Sequence, residues 1–189
     1  MFTLFISTYN ENLTIGLLKD NDLISNEEKK TIHSHSEYLV PLIKEILEDN
    51  NLRPQDLNQI LVVNGPGSFT GIRLGITVAK TLAYTLNIPI KTITSIEALA
   101  CSIEDANKII TIDDNKGKYI GLFKDNKLVD LFYLNKEASN EYLKDKNNVY
   151  KTDVLNIQKI YEYSKNIDPT NAHAVKAVYI KQIEALNDK

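Results

Sequence analysis

Cysteine occurs once, at Cys101, so the chain cannot close an internal disulfide, and a reducing compartment is expected. Arginine is nearly as scarce. Of 22 basic residues only Arg53 and Arg73 are arginine, against abundant lysine and asparagine, a bias of coding composition that gives the Lys/Asn tracts no functional weight. Long apolar runs are also missing: none approaches the roughly 18 residues a membrane span needs. The start, MFTLFISTYN, lacks the basic-then-apolar layout of a secretion signal, so a cytoplasmic protein without membrane contact is expected. Nor is there a basic excess. A net charge of -3 excludes a broad phosphate-binding surface, and contact with RNA is expected only through a partner's charge. What remains is 189 residues, 43% of them hydrophobic, long enough to bury a sizeable core in one domain or two small ones.

Phe2–Thr8 and Leu13–Lys19 are apolar, β-prone runs, with a third short strand expected near Leu23–Ser25. From Ser34 the period becomes helical, with Leu39, Leu42, Ile43, Ile46 and Leu47 in step, and Pro41 is expected to kink this helix or delay its start. A buried strand Ile60–Asn64, a glycine-rich turn, a helix Gly71–Leu86, a strand Ile90–Thr94 and a helix Ser95–Glu104 follow. The order βββαβαβα is that of a ribonuclease-H-like unit. IGLLKDNDLI (Ile15–Ile24) then returns as IGLFKDNKLV (Ile120–Val129), 105 residues later, each copy preceded by an apolar strand. This reads as a duplicated βββ unit of the actin-like kind, giving an α/β chain with a ribonuclease-H-like subdomain at 1–104 and a truncated second one at 105–189. After Leu134 the chain is rich in helix signals, at Glu137–Lys144 and Val154–Ser164.

The turn NGPGSFTGIRLG (Asn64–Gly75) invites comparison with phosphate-binding loops. It has no Gly-Lys pair, so it is not a Walker loop, and its spacing misses G-x-G-x-x-G by one place. Gly65, Pro66 and Gly67 make the tight turn, Ser68 or Thr70 caps the helix, and Arg73 follows on its first turn. A self-capped structural turn is the preferred reading. In the helix, Leu74, Val78, Leu82, Gly71, Gly75, Leu86, Ala79, Ile72, Ala83 and Ile76 spread over about 200° of surface, wider than the stripe one sheet can cover. Gly71, Gly75, Ala79 and Ala83 put small residues at every fourth position, where a second helix could approach closely. Together with a broad apolar arc on Ser36–Leu47, this points to a partner surface.

The means of catalysis are hard to find. The first strand ends Phe5-Ile6-Ser7-Thr8 without a carboxylate, and the turn Tyr9–Asn12 lacks glycine, so neither an autonomous actin-like ATPase nor a nuclease has its metal or phosphate grip. Asp113 and Asp114 end the matching strand of the second half and read as turn formers. His33, His35 and Glu37 lack an evident further zinc ligand. Ser68 and Cys101 have no base tied to them by motif, and no H-x-x-x-H pair serves a peptidase. No cofactor and no metal are expected.

GPGSFTGIRLGITVAKTLA (Gly65–Ala83) resembles the signature of the bacterial TsaB (YeaZ) family of tRNA threonylcarbamoyladenosine biosynthesis proteins. HSEYLVPLIKEIL (His35–Leu47), SIEALA (Ser95–Ala100), IDDNKGKYIGLF (Ile112–Phe123) and AVYIK (Ala177–Lys181) resemble its first and third helices, the opening of its second domain and its C-terminal motif. The resemblance implies an actin-like, non-catalytic subunit. It would form a heterodimer with a TsaD-like transferase, which modifies N6 of adenosine 37 in tRNA, and work with a TsaE-like ATPase, meeting tRNA only through the complex. The family's contact, a bundle of first and second helices, maps onto Ser36, Leu39, Val40, Ile43 and Leu47, and onto Gly71, Ile72, Gly75, Ile76, Ala79 and Ala83. Without the partner, self-association of this pair is the expected stopgap. The alternatives, an autonomous ATP-dependent transferase or ATPase and a glycoprotease-like peptidase, lack their residues. The departures are Ser7 where the family commonly has aspartate, and Asp113–Tyr119 without the family's arginine and acidic residue.

Overall fold

The computed structural model describes residues 1–31 and 34–180. The first sheet begins with the apolar β1 (Phe2–Ser7), β2 (Asn12–Lys19) and β3 (Asp22–Lys30), a meander whose hairpins are antiparallel. β3 runs well past the expected Leu23–Ser25 because SNEEKK continues it; a charged outer strand protects a sheet edge from further pairing. Helix α1 (His35–Asp49) crosses to β4 (Gln59–Val63), which pairs parallel to β1. Pro41 lies inside α1 and neither delays nor ends it, since it sits on the exposed side where the carbonyl it leaves unpaired is within reach of solvent. Helix α2 (Phe69–Leu86) and β5 (Ile90–Ile93) complete a sheet of order β3-β2-β1-β4-β5.

Helix α3 (Ser95–Ala100) leads into a second sheet of β6 (Ile109–Asp114), β7 (Gly117–Lys124), β8 (Lys127–Asn135) and β9 (Val149–Tyr150), in the order β8-β7-β6-β9. Helices α4 (Lys136–Leu143) and α5 (Ile157–Ser164) belong to the same half of the chain. The order repeats that of the first sheet short of its last strand, with β9 parallel to β6 as β4 is to β1. This is the actin-like ATPase architecture, ribonuclease-H-like in each half. Among the described residues no helix is long and apolar enough to cross a membrane.

The repeated decapeptides are the two β-hairpins. The register of β2 against β3 shifts between Leu17 and Leu18, and that of β7 against β8 between Leu122 and Phe123, 105 residues on. Both turns also carry a left-handed residue at the matching place, Asp20 and Asp125. The repeat therefore extends to backbone irregularities. It extends to packing as well: at Gly16 an added methyl would meet Ile157 Cδ1 of α5 at 2.9 Å, and at Gly121 it would run into Ile96 Cγ2 of α3. Each hairpin has a bare spot that receives an isoleucine from a helix, and the helices are exchanged. α3, from the first half, packs on β6 and β7, while α5, from the second, packs on β3. Gly121→Ala should destabilise the protein by about 1–3 kcal/mol through overpacking against the stiff Cγ2 of Ile96. Gly16→Ala should cost less, because its methyl meets Ile157 only at 2.9 Å and 3.0 Å, a smaller overlap; urea denaturation of the two variants measures the difference.

Candidate functional site

A cleft of about 1030 Å³ opens between the two sheets. Its walls come from separate segments: Tyr9–Glu11 after β1, Thr31 with His35 and Ser36 at the entry to α1, the glycine turn and start of α2, Ile112–Lys116 with Tyr119 of the second sheet, and Val178–Ile180. The glycine turn holds the cleft floor in place. Gly65 and Gly67 adopt φ of +104° and +154°, open to residues without a side chain, on either side of Pro66, whose peptide bond is cis. Ser95 N–H donates to Gly65 O at 2.9 Å, and Ser95 Oγ–H donates to Pro66 O.

Two amides at the start of α2 are used inside the chain. Ser68 N–H donates to Tyr9 O at 2.7 Å, and Ser68 Oγ caps α2 by accepting from Gly71 N–H at 3.2 Å. Thr8 Oγ1–H donates to Gly71 O at 2.7 Å. A methyl at Gly67 or Gly71 would overlap the carbonyl oxygens of Tyr9 or Thr8, and one at Gly75 the hydroxyl of Thr8. The glycines thus seat α2 on the end of β1. Thr70 is exposed in the cleft lining, and Arg73 is exposed one turn further along α2.

This arrangement corrects the reading of the small-residue series. Gly71, Gly75, Ala79 and Ala83, with Ile72 and Ile76, are buried against the chain's own sheet rather than offered to another helix. Leu39, Ile43 and Leu47 of α1 are equally part of the core. Of the eleven residues expected at a partner surface only Ser36 and Val40 are exposed, Val40 by 58%. Beside them on α2, Leu74, Val78, Leu82 and Leu86 are half-buried, the edge of the wide apolar arc that the sheet leaves uncovered. The chain's tail crosses the other side of α2. Lys80 Nζ donates to Val175 O at 3.3 Å and Arg73 Nε donates to Tyr179 Oη at 2.7 Å.

The titratable candidates are occupied. His35 Nε2–H donates to Asn10 O at 2.7 Å and its Nδ1 accepts from Thr31 Oγ1, so neither ring nitrogen is free for a metal; His33 lies outside the described residues. No group of three or more metal-ligating side chains occurs among the described residues. Asp113 is paired with Lys118 and Lys151, and Asp114 Oδ2 accepts from Tyr133 Oη at 3.1 Å. Ser7 is buried, outside the cleft lining. Burial pushes the Cys101 thiol up to about 12, with Lys108 opposing in part, which disfavours the thiolate at neutral pH. The cleft itself was hidden in the sequence, because five distant segments line it.

A model of the family described as "TsaD: tRNA N6-adenosine threonylcarbamoyltransferase" matches residues 23–176. The tRNA threonylcarbamoyladenosine biosynthesis protein TsaB of Bacillus subtilis is 39% identical over 127 residues, 66% of this chain and 56% of that protein. The protein of the same name from Escherichia coli is 29% identical over 100 residues, 53% and 43% of the two chains. The matched segments thus span about half the length of these relatives. Among solved structures, YeaZ from Pseudomonas aeruginosa superposes with a TM-score of 0.77 at 16% identity, over 94% of this chain and 99% of that one. A second Pseudomonas aeruginosa structure, of an uncharacterized protein with similarity to peptidase YEAZ, superposes with a TM-score of 0.79 at 17% identity, over 95% and 99%. Both establish a shared fold.

Ser68→Ala should cost roughly 1 kcal/mol, the usual worth of an N-cap. Gly75→Ala should cost more, since Thr8 must give way; equilibrium unfolding compares the two. Asp113 supplies a pH signature: hydrogen bonds and charge from Lys118, then Lys151, hold its carboxyl below the usual range. A depressed folded pKa stabilises above the unfolded value of about 4 and is lost as pH falls through the folded one. The Tm gap between wild type and Asp113→Asn should therefore be present at neutral pH and close under acid.

Proposed function

The chain belongs to the TsaB (YeaZ) family, and from that premise we propose that it serves tRNA threonylcarbamoyladenosine biosynthesis in the cytoplasm as a non-catalytic subunit. It binds and activates a TsaD-like transferase that acts on N6 of adenosine 37, with a TsaE-like ATPase in the larger assembly and tRNA reached through the complex.

The observation that carries this reading is the helix pair. Val40 on α1 is exposed, and Leu74 and Val78 on α2 are half-buried on the side away from the chain's own tail. Such a stripe supplies the apolar core of an interface, around which Ser36, Thr77 and Thr81 provide a polar rim. The cleft supports the same reading from the opposite direction. Its glycine turn ties its amides to Tyr9 and Ser68, and its first loop brings Asn10 and Glu11 where a phosphate grip would need glycine and backbone N–H. Such a chain contributes shape to a complex rather than chemistry.

The test is co-purification with the same organism's TsaD-like transferase, followed by threonylcarbamoyl transfer to tRNA with and without this chain. Stable association and modification that depends on the added chain are expected; full activity of the transferase alone overturns the subunit role. Val40→Glu should weaken the complex about tenfold or more, as a charge at the centre of an apolar contact does, with an unchanged Tm. Saturating ATP should leave the Tm of the isolated chain where it is, and a clear rise would favour an ATP-dependent enzyme.

A further inference from the structure

Arg73 is one of two arginines in a chain that otherwise uses lysine for positive charge. Its guanidinium lies 3.8 Å over the ring of Phe69 and 5.6 Å from that of Tyr179, while its Nε–H donates to Tyr179 Oη at 2.7 Å. The two rings are themselves 5.6 Å apart. Stacking and the hydrogen bond fix the guanidinium plane and occupy one edge. Among the described residues no carboxylate pairs with the other edge. Tyr179 is held in turn by the tail, where Val178 N–H donates to Asn64 O at 2.8 Å and Asn64 Nδ2–H donates to Lys176 O at 3.2 Å, beside the buried Val175. Yet Phe69 and Tyr179 remain 50% and 51% exposed. A pre-organised arginine between two half-exposed aromatics combines the residue types that dominate protein interfaces, with little ordering cost left to meet.

We propose that Phe69, Arg73 and Tyr179 form a second protein-docking site, on the rim of the cleft, which receives a carboxylate side chain of a partner protein. The free guanidinium edge offers two parallel N–H groups, a fork that fits a carboxylate or a phosphate. The surroundings choose between them. Glu11, Asp113 and Asp114 line the same cleft beside Lys116, Asp113 is already paired with Lys118 and Lys151, and the chain is negative overall, so a nucleic-acid backbone would find among the described residues no run of unpaired positive charge for its repeated phosphates. A single acidic side chain, with an apolar neighbour to lie on the rings, needs only the fork of Arg73. The site is separate from the helix-pair stripe, since at 3.6 residues per turn Arg73 lies about 100° around α2 from Leu74. The partner's identity rests on the preceding reading, with the TsaD-like transferase as the protein to be tested.

The experiment measures the affinity of the full chain for that transferase, with and without tRNA, for wild type, Arg73→Gln, Arg73→Lys, Phe69→Ala and Val40→Glu, each checked for an unchanged Tm. Arg73→Gln should weaken binding about 10- to 100-fold, as loss of an interface anchor does. Arg73→Lys should recover only part of it, because an ammonium is a point charge without the planar fork. Phe69→Ala, which keeps the charge, should also weaken binding and carries the comparison if Arg73→Gln proves unstable. Wild-type affinity in both Arg73→Gln and Phe69→Ala, with Val40→Glu impaired, overturns this site and leaves the helix-pair reading intact. Failure of wild type to bind at all overturns both. A loss seen only with tRNA present, and steepest at low salt, assigns Arg73 to a phosphate and overturns the carboxylate.

Discussion

The first turn of α2 rests directly on the end of β1, and the rest of the architecture takes its positions from that contact. Gly67, Gly71 and Gly75 have no side chains to hold the two backbones apart, and Thr8 and Tyr9 fill the space with their own polar atoms. Two hydrogen bonds, Ser68 N–H to Tyr9 O and Thr8 Oγ1–H to Gly71 O, close the seam. Once α2 is seated, its small face belongs to the sheet, and Leu74 and Val78 are left half-buried at the edge. The same seam consumes groups with which a glycine turn could have held a phosphate. Packing thus takes up a backbone donor of the turn: the Ser68 N–H, of the kind that serves a ligand in other contexts, serves the end of β1 in this one.

A second constraint joins the halves. Each sheet has a glycine at the matching place in its second strand, and each gap is filled by a helix from the other half: Ile157 of α5 against Gly16, Ile96 of α3 against Gly121. Polar ties reinforce the exchange. Tyr163 Oη of α5 donates to Glu97 of α3 at 2.9 Å, Lys91 Nζ donates to Ser164 O at 2.8 Å, and Leu23 N–H donates to Gln158 at 2.8 Å. The internal repeat thus describes the geometry of the strands, while the packing of each sheet draws on both halves of the chain.

The strands and helices were largely legible because their signals are local. The apolar runs at Phe2–Ser7 and Gln59–Val63 and the period of α1 and α2 carry their own evidence. The 105-residue repeat announced two matching hairpins before their shared bulge was seen. Where tertiary context decides, the sequence was silent or misleading. SNEEKK forms an edge strand by pairing with β2, against its own weak propensity, and β9 is two residues long. The stripe Gly71, Gly75, Ala79, Ala83 signals close approach without saying to what, and for the two glycines the answer is Thr8, at the end of β1. The Phe69–Arg73–Tyr179 cluster joins residues 106 positions apart, and no local pattern foretells it.

The exchanged helices also fix an order of events during synthesis. The five strands of the first sheet are all made by residue 93, but the gap above Gly16 stays open until α5, beginning at Ile157, has cleared the ribosome. Throughout that interval the nascent first half has its apolar surface above Gly16 and β3 uncovered, and it must wait for its own far end.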